Sequence, residues 1–61
     1  MKHPERGEVW VKRKTGERFE VWSVHDRWVI VYPERDGNRR PVHVITHSFL
    51  QEFRPAVEQD G

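Results

Sequence analysis

Apolar and polar residues alternate along most of this chain instead of recurring at helical spacing. Phe19 and Val21 alternate with Arg18, Glu20 and Trp22, and Val29 and Val31 alternate with Trp28, Ile30 and Tyr32. A period of two puts successive side chains on opposite faces of a strand. Four strands are predicted on this basis, at Glu8–Arg13, Glu17–Val24, Trp28–Tyr32 and Pro41–Ile45, with a short fifth at Arg54–Val57. Lys14-Thr15-Gly16 reads as a three-residue hairpin loop in which Gly16 takes the left-handed position of a bulge. His25-Asp26-Arg27 turns the chain again. The polar stretch Pro33–Arg40 has Asp36-Gly37 as its tip. Pro41 is tolerated as the first residue of a strand.

The loop length sets an expected register. It pairs Val11 with Phe19 and Val9 with Val21 on one face, leaving Trp10, Lys12, Arg18, Glu20 and Trp22 on the other. Closing the second hairpin at Val24–Trp28 adds Val29 and Val31 to the first face. It sets Trp28, Ile30 and Tyr32 beside Val24 and Trp22 on the second. Ser48-Phe49-Leu50-Gln51 fits a capping box, with Ser48 as N-cap and Phe49 and Phe53 on one side of a short helix that Pro55 ends. The plan is all-β: a small SH3-like barrel of four to five antiparallel strands with one short C-terminal helical turn. Residues 1–7 are expected as an N-terminal arm, 8–57 as the barrel domain and 58–61 as a tail.

Composition agrees with this plan and narrows it. The apolar residues include nine Val and seven aromatics against one Leu and one Ala, a set that suits pleated surfaces better than helices. Sixty-one residues make one small domain, too short for a dinucleotide fold or a βα barrel. The absence of cysteine removes disulfides, thiolate metal sites and thiol nucleophiles together. The N-terminus carries no apolar signal-like stretch and the longest apolar run is Trp28–Tyr32, so a cytoplasmic protein away from the membrane is expected. Eleven Lys+Arg against ten Asp+Glu give a net charge of +1, so any polyanion-binding role must come from placement, not excess.

Both faces of the expected sheet are apolar, and that is the informative anomaly. One face suffices for the barrel interior. A C-terminal helix carrying Phe49, Leu50 and Phe53 would cover the second; otherwise its aromatics form an interaction patch or a self-association surface. Lys12, Arg13 and Lys14 approach the first hairpin turn, while Arg35, Arg39 and Arg40 lie in the third connection. Alternate loops of a meander share one end, so these cations would form one basic rim, with Arg18 and Trp10 below it. Bases stack on aromatic rings while Lys and Arg hold phosphates, which makes a nucleic acid one candidate ligand. In that reading Trp10, Trp22 and Tyr32 stack or pack, and Lys12, Arg13, Lys14, Arg18, Arg39 and Arg40 hold phosphate. In the alternative the same aromatics clasp a protein partner or form a homodimer. The four histidines, His3, His25, His43 and His47, show no metal-ligand spacing, and no catalytic triad or carboxylate pair is identifiable, so neither metal, cofactor nor catalytic residues are expected.

The runs Arg6-Gly7-Glu8-Val9-Trp10 and Arg40-Pro41-Val42-His43-Val44-Ile45 resemble two stretches of the MazF/PemK toxins, SH3-like barrel endoribonucleases. That resemblance implies a role in RNA cleavage for Arg40, with Thr46 at the following small polar position. The chain departs from those toxins in its length and in its extra hairpin, Arg18–Tyr32. The layout Gly7-Glu8-Val9-Trp10, Gly16, Phe19–Val24, Trp28–Tyr32 and Phe49-Leu50-Gln51-Glu52-Phe53-Arg54-Pro55 resembles short prophage proteins. It implies a stand-alone small barrel from a phage-derived region and speaks to the fold, not to a biochemical role.

Overall fold

A computed structural model describes residues 3–35 and 40–56. The Asp36-Gly37 tip, Arg39 and the 58–61 tail lie outside the described residues. The strands are β1 (Val9–Lys12), β2 (Arg18–Val24), β3 (Trp28–Pro33), β4 (Val42–Ile45) and β5 (Phe53–Pro55), with one helix, α1 (Thr46–Glu52), between the last two. They form a single antiparallel sheet in the order β4-β3-β2-β1-β5. This is the expected small SH3-like barrel: a meander of four strands, after which a fifth returns to pair with the first. The sheet curls but stays open between β4 and β5, and α1 packs across that opening against β3, β4 and β5. Pro55 sits opposite Trp10 on an edge strand. The flanking bonds, Arg13 N–H to the Glu52 carbonyl and Ala56 N–H to the Val9 carbonyl, put that pair at a position where no ladder donor is required.

The first hairpin corrects the expected register by one residue. Val9 faces Glu20, Trp10 faces Phe19 and Val11 faces Arg18. Lys12 N–H donates to the Glu17 carbonyl, and Gly16 N–H donates to the Lys12 carbonyl at 2.7 Å. The loop is therefore four residues, Arg13 to Gly16, and Gly16-Glu17 together oppose Lys12 as a bulge. Gly16 has the left-handed φ of 79° that such a bulge requires. The same device recurs before β1, where Gly7 (φ 91°) and Glu8 together oppose Val21 through Gly7 N–H to Val21 and Val21 N–H to Glu8. Two Gly-Glu steps thus hold β1 in its register. They also draw the N-terminal segment onto β2, and Pro4 within it is buried.

The one-residue shift exchanges the faces of β1. Trp10 enters the core at 1% exposure, and Val9, expected inside, is only partly buried. Val11 remains buried although its cross-strand partners are Arg18 and Arg54. The core then consists of Trp10, Phe19, Val21, Val29, Val31, Val44, Phe49 and Phe53, with Leu50 packed against it. Four rings form its centre. Phe49 and Phe53 stack at 4.7 Å, Trp10 meets Phe49 edge-on at 5.0 Å, and Phe19 meets Phe53 edge-on at 5.4 Å. Such pairs add about 0.5–1.5 kcal/mol each beyond area burial, which matters in a domain this small. Burying an indole also demands a partner for its N–H, and Glu8 Oε1 accepts it at 3.0 Å.

The helix begins three residues earlier than the capping box implied. Thr46 follows β4 directly, the N-cap is Ile45 with no side-chain cap, and Ser48 lies inside the first turn. The start is set by tertiary bonds. Thr46 N–H donates to the Arg27 carbonyl at 2.9 Å and its hydroxyl to the His25 carbonyl at 3.2 Å. Phe49 is the helix's one buried residue, and this start directs it into the core.

Candidate interaction surface

The helix covers the inner face, where Trp10 lies, and leaves the second face of β2, β3 and β4 open. Trp22 is 53% exposed, Trp28 44% and Ile45 63%. Cross-strand partners share a face, so the pairs Trp28–Ile45 and Ile30–His43 place these side chains in one band. Tyr32 extends the band, with its ring edge-on to Trp22 at 5.5 Å. The register of β2 on β3 shifts between Val21 and Ser23, so Trp22 occupies a bulge. A bulge re-aims side chains and increases local twist, and here Trp22 keeps its outward direction while Ser23 and Val24 beyond it exchange faces. Val24, expected beside Trp22, instead pairs with the buried Val29 and belongs to the rim of the inner face.

The basic residues fall into different roles. Arg13 is tied to the helix end: its N–H donates to the Glu52 carbonyl at 2.8 Å and its guanidinium to the Leu50 carbonyl at 3.3 Å. Arg18 is paired with Glu34 at 2.6 Å, both partly exposed. Lys12 is half-buried, whereas Lys14, Arg35 and Arg40 are exposed at the end of the sheet shared by the first and third connections. Trp10, expected as a stacking ring beside them, is in the core and presents no face to a ligand. Arg39 lies outside the described residues.

Two cations nearer the open aromatics escaped sequence reasoning. Arg6 lies over the Trp22 ring at 5.8 Å from its centroid, and Arg27 is exposed in the turn immediately before Trp28. Arg6 reaches Trp22 only because Gly7 is bonded to Val21, a bulge whose sequence signal is the Gly-Glu step. His25 lies 5.9 Å from Trp28 and shares a 3.0 Å hydrogen bond with Ser23 Oγ.

Arg40 and Thr46 flank β4, one before it and one after it, with the whole strand between them. The Thr46 hydroxyl is already engaged by the His25 carbonyl. Among the described residues no three His, Asp or Glu side chains gather in a metal-ligating group, and no helix is long and apolar enough to cross a membrane. Comparison with known protein families, curated proteins and solved structures found no match to this chain.

Proposed function

We propose that this chain is a non-enzymatic binding module whose working surface is the open β2–β3–β4 face and whose partner is a protein. The observation that carries this reading is the band of Trp22, Trp28 and Ile45 left exposed while α1 occupies the opposite face. Contiguous apolar area of this kind marks interaction sites, and Trp is enriched among the residues that dominate binding energy. The band is rimmed by Arg6, Arg27 and His25, the polar surround typical of a reversible interface.

The test compares the intact chain with a Trp22→Ala/Trp28→Ala double variant as baits in a cell extract. A protein retained by the parent chain at 0.5 M salt (roughly a 4 Å Debye length) and lost by the variant is the expected result. Retention that disappears between 0.05 and about 0.2 M salt, with nucleic acid in the eluate, would overturn it. The second reading, single-stranded nucleic acid, draws support from Arg6 over Trp22, from Tyr32 beside it, and from the exposed Lys14 and Arg40. Its phosphate contacts would lie at the far end of the sheet from Trp28, because Trp28 begins β3 and the basic end follows its last residue.

A further inference from the structure

The opening between β4 and the β1–β5 pair holds a second candidate site, which shares strand β4 with the aromatic face. A slot of about 270 Å³ lies there, floored by Phe19, Val44 and Phe53 and bounded by Val42, Lys12 and Glu52. It passes into a broader shelf shared by Lys12, Arg13, Lys14, Gln51 and Glu52, three cations against one carboxylate. Lys12 and Lys14 have no ion-pair partner among the described residues. Arg13 spends one guanidinium N–H on a backbone carbonyl, which leaves its charge uncancelled.

The wall of the slot is an edge strand with unused backbone groups. Thr46 N–H bonds the Arg27 carbonyl, which fixes the parity of the β3–β4 ladder. Val44 and Val42, two and four residues back, direct their backbone groups toward β3. His43 therefore turns its N–H and C=O outward, and Ile45 its N–H. The Ile45 carbonyl is already the first acceptor of α1. A strand laid along this edge satisfies these groups and drops every second side chain on the side of Val42 and Val44, into the slot. The shelf lies at the Val42 end, because β1 ends and β4 begins at the same end of the sheet.

We propose that this seam takes an extended segment of a partner protein as a sixth strand on β4, with an apolar side chain in the slot and acidic side chains on Lys12 and Lys14. The net positive shelf selects the acidic neighbours, and the free edge selects the extended backbone.

The test is an NMR titration of the intact chain with a synthetic peptide that alternates valine and glutamate. Two further peptides carry N-methyl groups on alternate residues, one in each register. The His43 and Ile45 amides are expected to shift, and one methylated peptide should bind while the other fails. Lys14→Glu, on an exposed loop, should weaken the parent peptide about tenfold, the scale of losing a charge-assisted contact. Lys12→Glu should do the same, provided its amide spectrum shows the native fold. Unmoved His43 and Ile45 amides, or equal binding of both methylated peptides, would overturn strand addition. Equal binding of a valine–lysine peptide would overturn the role of the shelf, and displacement of the peptide by an oligothymidylate at equal concentration would assign the shelf to nucleic acid instead. Ile45 belongs to both surfaces, so the methylated pair and the Lys14→Glu loss, which do not touch the aromatic band, are the readouts whose failure leaves the aromatic face untouched.

Discussion

Trp10 and Trp22 sit on adjacent strands of one sheet and meet opposite fates. Trp10 faces inward, is covered by Phe49, and has its indole N–H bonded to Glu8. Trp22 faces outward from a bulge, touches Tyr32 and Arg6, and keeps half its surface in water. The residue type is the same, so hydrophobicity alone does not decide between them. What differs is the neighbouring chain: each ring has a glutamate two residues upstream, but only Trp10 has a helix delivered over it by β4. Trp22 has no helix over it. A ring so covered is part of the fold, and one left uncovered keeps a face in water.

That contrast can be broken most forcefully at Trp10. Trp10→Ala should cost about 3–5 kcal/mol. Total stability for a domain of this length is about 3–9 kcal/mol by the usual per-residue range. The variant is therefore expected to be largely unfolded, with loss of the aromatic circular dichroism signal and of the cooperative urea transition. Native-like unfolding in this variant would mean that Trp10 is not the centre of the core.

A smaller effect is expected at its hydrogen-bond partner. Glu8→Ala leaves the indole N–H without its acceptor, a loss of about 1–3 kcal/mol, while Glu8→Gln retains a side-chain oxygen and should recover most of it. Urea midpoints of the two variants measure the difference. Equal destabilisation would show that the charge of Glu8, or its bond to the Glu5 N–H at 2.9 Å, matters more than the indole.

The smallest change in stability belongs to Trp22. Trp22→Ala removes one edge-on ring contact and one cation over an exposed ring, together about 1–2.5 kcal/mol. The fold should persist in the amide spectrum while binding to a protein partner is lost. A loss of stability matching that of Trp10→Ala would make Trp22 a structural residue and remove the distinction between the faces.

The strands β2 and β3 were legible because Phe19-Glu20-Val21 and Val29-Ile30-Val31 have distinct inner members. The same pattern failed in β1. Val9, Trp10 and Val11 are all apolar, so either register buries a hydrophobic side chain, and only the length of the Arg13–Gly16 loop decides. The Trp22 bulge left no mark in the pattern, since an outward Trp reads the same with or without the extra residue. Ser48 satisfied a capping signature, but the bonds from Thr46 to Arg27 and His25 set the helix start through residues distant in sequence. Of the site, the open aromatics were visible as an excess. Which tryptophan would be withdrawn from it was not, and neither was the use of Arg13 and Arg18 in internal contacts.

The pairing of β5 with β1 has a consequence for how the chain is made. Synthesis runs from the N-terminus, so Trp10 emerges well before Phe49 and Phe53, the rings that enclose it, and before the strand that gives β1 its second neighbour. A meander of the first three strands, formed before α1 and β5 join it, exposes apolar side chains on both faces. Completion of the fold is thus a late event dominated by contacts distant in sequence, the class that closes slowly. Until then a partly folded chain presents its interior face and its outer aromatic face at once.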